Sequence, residues 1–143
     1  HAGTFRGNQL AMRAGTALIK RVSQPEFLNE VVEKGTYMRD RLLELKKKVS
    51  IIGDIREKGL MMGIEFVNPN ATPDKLGTLP GSGEIAAEIQ HRCFEKRLVM
   101  ERGGRNGAVM RCLCALNVTR DEINKMLEIF ESVVMEVDAG AKK

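Results

Sequence analysis

An α+β fold is predicted for this chain: a small, mainly antiparallel sheet covered by helices. Three observations lead there. Apolar residues recur at three-four spacing near both ends of the chain, short branched runs bounded by glycine lie between them, and one further helical stripe interrupts those runs. With 143 residues and 43% hydrophobic content, the chain holds material for one core and hardly for two.

The first element is expected over residues 7–22, where Leu10, Ala14, Ala17, Leu18 and Arg21 fall on one side of a helix. Its small residues Ala11, Ala14, Gly15 and Ala17 leave room for close packing against another element. A second start follows at once: Ser23, with Glu26 three residues on and Pro25 in the first turn, is the pattern of a capping box. From there Leu28, Val31, Val32, Gly35, Met38, Leu42, Leu45 and Val49 hold helical spacing with charges between them, which makes a long amphipathic helix.

The period then changes. Residues 51–56 and 60–67 are short, branched and bounded by Gly53, Gly59 and Gly63, so two strands are expected, and residues 68–81 form a loop. Ser82 caps a helix carrying Ile85, Ala86, Ile89, Cys93 and Phe94 on one stripe, followed by a short strand over 98–100. An Asn-Gly turn within 103–107 leads into a strand over 108–116. Thr119 and Glu122 form another capping box before Ile123, Met126, Leu127, Phe130, Val134 and Val137. Residues from Asp138 onward are expected to fray.

Composition narrows the function classes. The net charge is +4, with both signs spread along the chain. Lysines cluster at Lys46, Lys47, Lys48 and at Lys142, Lys143, and the triplet reads as a solvated helix tip that complements the helix dipole. With no tryptophan and one tyrosine, stacking platforms for nucleic acid are missing, so no nucleic-acid role is expected. No run approaches the length of a membrane span, and the start has no signal-peptide pattern, so no membrane association and a cytoplasmic location are expected. Three cysteines fit reduced thiols; Cys112 and Cys114, two apart on a strand, would share one face, and a zinc site drawing on His1 or His91 would need a distant convergence.

The opening segment is the chemical one. In His1-Ala2-Gly3-Thr4-Phe5-Arg6-Gly7-Asn8 the glycines let backbone approach a ligand, Thr4 offers a hydroxyl, and the segment feeds a helix N-terminus. Those are the parts of an anion site, and equally those of an ordinary glycine-rich helix lead-in. Arg111 likewise reads as a carboxylate fork or as a strand arginine paired with a nearby acid. Because that loop stands at the very start with no initiator methionine, a piece of a longer protein is expected.

Three segments taken together, residues 1–12, 56–65 and 104–111, resemble in order and spacing the C-terminal third of the class III, ornithine-type pyridoxal-phosphate aminotransferases, with coverage from residue 1 to about Val137. Phe5-Arg6-Gly7-Asn8-Gln9 and the run over residues 98–107 look most like the branch acting on diaminobutyrate and 2-oxoglutarate; most relatives carry another pair where Arg6 and Gln9 stand. The resemblance implies the C-terminal small domain of a fold type I enzyme, with residues 1–22 as phosphate-contacting loop and connecting helix and 23–143 as the small domain. It implies a cofactor, pyridoxal 5'-phosphate, whose phosphate is met across a homodimer by Thr4 with the Gly3 backbone. It also implies substrate-carboxylate binding by Arg111, amino-acid and 2-oxo-acid substrates, and two protein partners, the chain's own large domain and a second subunit.

Arg56 and Gly59 match a structural turn of the family, Asn8 fixes the helix entry, and Glu101, Arg102 and Arg105 read as solvated. No lysine here matches the family's cofactor-linking lysine, so the chain alone is expected to be inactive and to contribute no catalytic residue and no metal ligand. Two departures stand out. Cys112-Leu113-Cys114-Ala115 replaces the family's aromatic residue and proline pair, which loosens the placement of Arg111. Glu57 stands where glycine is usual, which would strain a turn of positive φ. Other class III activities, on ornithine, acetylornithine or 4-aminobutyrate, and a free-standing interaction module remain alternatives.

Overall fold

The structure, a computed structural model, describes residues 3–141. Expectations that rest on His1, Ala2, Lys142 and Lys143, including a zinc site through His1, lie outside them.

Helix α1 spans Gln9–Val22, and Asn8 caps it by accepting from the Ala11 N–H at 3.0 Å, which sets the entry two residues after the expected start. None of its residues is buried, and Leu10 and Leu18 are 82% and 61% exposed. The close packing expected of this face is therefore not supplied among the described residues; a stripe guarantees an apolar side, not a partner.

Helix α2 spans Pro25–Lys46. The capping box expected at Ser23 does not form. Ser23 instead closes the C-terminus of α1, its N–H reaching the Ile19 and Arg21 carbonyls. Gln24 is the N-cap of α2. The cause is Pro25, which takes the first helical position and holds the residue before it extended, φ −76° and ψ 127°. Arg21 fastens the bend, bonding Gln24 Oε1 at 2.9 Å and lying 4.9 Å over the Phe27 ring. At the other end Lys46 is not a solvated tip: its Nζ donates to the Gly53 carbonyl at 2.6 Å, and the helix stops three residues short of Val49.

Strands β1 (Ile52–Lys58) and β2 (Met61–Phe66) form a hairpin in which Lys58 faces Met61. The positive φ of its turn falls on Gly59, at +56°. Glu57 lies inside β1 opposite Met62 and bonds Arg39, so the strain foreseen at that residue does not arise. Helix α2 rests on this turn, since a Cβ at Gly35 would collide with the Gly59 carbonyl.

Helix α3 (Gly83–Glu95) starts as expected, Ser82 Oγ accepting from the Ile85 N–H at 3.3 Å. Strand β3 is Glu101–Gly103, three residues later than expected, and β4 is Val109–Leu113. The turn between them carries Asn106 at φ +57° and Gly107 at +66°. Residues after Leu113 leave the sheet.

Helix α4 spans Arg120–Ala141 and has the reciprocal box foreseen for it: Thr119 N and Oγ1 donate to Glu122 Oε2 at 2.8 and 2.7 Å, and Glu122 N donates to Thr119 Oγ1. Fraying from Asp138 does not occur as far as Ala141, where the described helix ends. Asp138 is buried in the helix and accepts from Ser50 N and Oγ at 2.7 Å each, which holds the last turns against the α2–β1 connection.

The strands make one antiparallel sheet in the order β1-β2-β4-β3. Met62, Ile64 and Phe66 of β2 and Met110 and Cys112 of β4 point to the face covered by α2, α3 and α4, where Met38, Leu42, Ile89, Leu127 and Phe130 complete the core. Phe66 meets Phe130 edge to face at 6.4 Å. The expected α+β sheet with helices on one side is what forms. Among the described residues no helix is long and apolar enough to cross a membrane.

Candidate functional site

The face of the sheet away from the helices is open around Arg111 and Leu113, and strand alternation decides what it displays. In β4 the buried Met110 and Cys112 alternate with exposed Arg111 and Leu113. Register then lines up a row across the sheet: Arg56 of β1, Gly63 of β2, Arg111 of β4 and Glu101 of β3.

Gly103 gives the Arg111 guanidinium its space, and Gly63 is its register partner in β2. Gly63, directly opposite, presents no side chain, and Gly103 leaves the bed on which the guanidinium lies, since a Cβ there would stand 2.7 Å from Nη2. Arg111 Nη2 donates to Glu101 Oε1 at 2.9 Å, with the two side chains 45% and 56% exposed. The bland reading of Arg111, a strand arginine beside an acid, thus describes its present partner. Such an exposed pair is held by well under about 1 kcal/mol, so a competing carboxylate meets little resistance. On the other flank Arg56 pairs with two acids, Glu65 at 2.9 Å and Asp54 at 3.4 Å. With Cys112-Leu113-Cys114-Ala115 in place of the proline pair, Arg111 lies in register between β2 and β3.

Arg111 borders a cleft of about 540 Å³ at the end of β4, between residues 98–101, residues 111–115 and the first turns of α4. Its walls include Val99, Leu113, Cys114 and Met126. Cys112 and Cys114 share one face there, with sulfurs 3.2 Å apart, and all three cysteines of the chain are free.

Gly3 and Thr4 lie elsewhere. Both are exposed, in the turn that leads to Asn8 and α1, and neither lines the cleft. Arg6 N donates to the Gly3 carbonyl at 3.1 Å, which bends the segment toward the helix N-terminus. The structure therefore does not bring Thr4 and Arg111 into one pocket. Arg102 is not merely solvated, since its guanidinium bonds Gln90 Oε1 and the Gly83 and Gly107 carbonyls.

Sequence reasoning missed Glu101 as the partner of Arg111, and missed Gly63 and Gly103 as its surroundings. The turn over 103–107 carried the signal: folding the chain back there sets Glu101 against Arg111, once the strand is centred on 101–103 instead of the more apolar 98–100.

Comparison with known proteins agrees with this architecture. The family model described as aminotransferase class-III matches residues 1–134. A diaminobutyrate–2-oxoglutarate aminotransferase of Haemophilus influenzae is 42% identical over 136 residues, covering 95% of this chain and 30% of that protein. The enzyme of that name from Rhizobium meliloti is 40% identical over 126 residues, 88% of this chain and 27% of that one. A Bacillus anthracis aminotransferase crystal structure superposes with a TM-score of 0.79 at 25% identity, over 95% of this chain and 30% of its own. This chain thus spans about 30% of the length of the curated relatives it matches. A match running over residues 1–134, together with a sheet and helices that superpose on a solved aminotransferase, places the chain in the class III aminotransferases.

Proposed function

We propose that this chain is the small-domain portion, residues 23–143, with the phosphate-contacting loop and connecting helix, residues 1–22, of an enzyme that moves the 4-amino group of 2,4-diaminobutyrate to 2-oxoglutarate. The products are aspartate 4-semialdehyde and glutamate. The observation that carries this reading is Arg111, an exposed guanidinium at the rim of a cleft, flanked by two glycines and held only by a surface acid.

A planar guanidinium offers paired N–H groups that match the two oxygens of a carboxylate. Glu101 occupies that fork and is released to solvent when a substrate carboxylate takes its place. Gly63 and Gly103 keep the approach free of side chains, and Leu113 and Val99 offer apolar walls. These groups bind and orient an anionic substrate; they do not move its proton.

The family's cofactor is pyridoxal 5'-phosphate, and the residues present fit only its phosphate end. Thr4 offers an exposed hydroxyl and Gly3 an unobstructed backbone just ahead of a helix N-terminus, where anions are favoured. When bound, the cofactor supplies an aldehyde that captures the amino group and a ring that takes up electron density. The lysine and the acid that such chemistry also needs are assigned to a large domain upstream. Thr4 then serves a second subunit's cofactor, which accounts for its separation from Arg111. The bare apolar side of α1, with Leu10 and Leu18 exposed, is read as a contact with those other parts.

The test uses the full-length protein carrying this sequence. It is expected to form glutamate from 2,4-diaminobutyrate and 2-oxoglutarate faster than from ornithine, acetylornithine or 4-aminobutyrate. Arg111→Ala should lower kcat/KM for 2-oxoglutarate about 10- to 100-fold, the worth of charge-assisted hydrogen bonds, mostly through KM. Preference for another amino donor would reassign the substrate, and an Arg111→Ala enzyme with unchanged KM would remove the carboxylate role. This chain alone, treated with the cofactor and borohydride, should give no stoichiometric adduct at a single lysine.

A further inference from the structure

Two thiols at the rim of the cleft have no part in that reading. Strand geometry puts Cys112 and Cys114 on one side of β4, and their sulfurs stand 3.2 Å apart, with Met126 Sδ 3.4 Å from Cys112 and 4.0 Å from Cys114. Cys114 follows the last residue of β4, so the ladder that fixes Cys112 against Met62 does not hold it. Both line the cleft, whereas Cys93 is fully buried in α3. A closed disulfide needs about 2.05 Å between sulfurs, a shift that an unpaired residue at a strand end can supply.

We propose that Cys112 and Cys114 are an oxidation site, closing a reversible intrachain disulfide beside Arg111 when hydrogen peroxide or a small organic peroxide enters the cleft.

The two thiols are unlike each other. Cys114 is the less buried of the two and is lowered by the hydrogen bond between them, while Cys112 is pushed up by that same bond and by burial. Cys93, pushed up to about 11 by burial, is inert by comparison. Cys114 is thus the attacking thiolate. Its Sγ takes one peroxide oxygen, the O–O bond breaks, and the leaving hydroxide, or the alkoxide of an organic peroxide, takes up a proton as water or alcohol, which leaves a sulfenic acid. Cys112 Sγ then attacks Cys114 Sγ, the S–O bond breaks, and the departing hydroxide carries off the Cys112 proton as a second water. Two thiols have lost one electron each and the peroxide has gained two. With Leu113 alone in the closed ring, the bond is strained and readily reduced, as befits a regulatory rather than a structural disulfide. This chemistry stands whether or not Arg111 binds a carboxylate.

The test uses this chain as it is. After brief treatment with a small excess of hydrogen peroxide, denaturation and iodoacetamide, peptide masses should show Cys112 joined to Cys114 and Cys93 alone alkylated, with dithiothreitol restoring all three thiols. Before oxidation at pH 7, Cys114 should alkylate at least about tenfold faster than Cys93. In Cys112→Ser the bond is lost and dimedone should label Cys114; in Cys114→Ser dimedone should label nothing. Three thiols still open to alkylation, a bond to Cys93 or between chains, or dimedone on Cys112 would each overturn the proposal. The measurement on the unaltered chain decides it even where a variant folds poorly.

Discussion

Met110 and Arg111 stand side by side in β4, yet the first is fully buried under the helices and the second is 45% exposed on the open face. The neighbouring strand β2 repeats this division, with Met62, Ile64 and Phe66 buried and the residues between them more open. Residues on the covered face answer to packing, where each side chain is enclosed by others from three helices. Residues on the open face answer only to register, which fixes their positions and leaves their charges available. Carboxylate binding in this chain is therefore to be sought on the face whose side chains the fold orders without needing them.

Five substitutions put this contrast under test. The largest effect is expected at Met110→Ala, which opens a cavity in the core and should cost about 3 kcal/mol in urea unfolding. A cost below about 1 kcal/mol would mean that the helix-covered face is loosely packed. Asp138→Ala should cost about 2 kcal/mol by the same measurement, because the Ser50 N–H and hydroxyl lose a buried charged acceptor. If the end of α4 were frayed, this change would be silent.

Thr119→Ala removes the cap of the helix that closes the covered face and should cost about 1 kcal/mol. The same cap has a pH signature. The Thr119 backbone N–H and then its hydroxyl hold the Glu122 carboxyl below its ordinary value of 4.5. A depressed folded-state value means stabilisation that is complete above 4.5 and fades as pH falls through the lower, folded-state value. Hydrogen exchange in the first turn of α4 should accordingly lose protection on acidification, and Glu122→Gln should flatten that dependence.

The smallest change in stability belongs to Arg111→Ala, expected to stay within about 0.5 kcal/mol since it breaks only an exposed pair. Substitutions at adjacent residues would then differ several-fold in unfolding free energy, while only the second affects carboxylate binding in the full enzyme. A large loss of stability from Arg111→Ala would show that the open face is structural after all.

Local chemistry is legible in the order of residues. The Ser82 cap, the Thr119–Glu122 box, the Asn106 turn and the Asn8 helix entry all depend on groups within three or four residues of one another, so the pattern of residue types contains the interaction. The Ser23 box looks equally local and fails, because Pro25 dictates the backbone one residue earlier. The site is legible in part. Arg111 is singled out by resemblance, and its exposure follows from alternation along a strand. Its acid partner and its glycine bed are not, because they depend on which strands pair and in what register.

The order of residues is thus enough for the fold class, the helices and most of their caps, and membership of a family of enzymes, all of which rest on short-range patterns or on ordered segments of residue types. It is the folded chain that sets Glu101 against Arg111, carries Asp138 across 88 residues to Ser50, and leaves α1 without cover among the described residues. Those outcomes arise from pairing and burial between distant segments, whose free energy exists only once the chain has closed on itself.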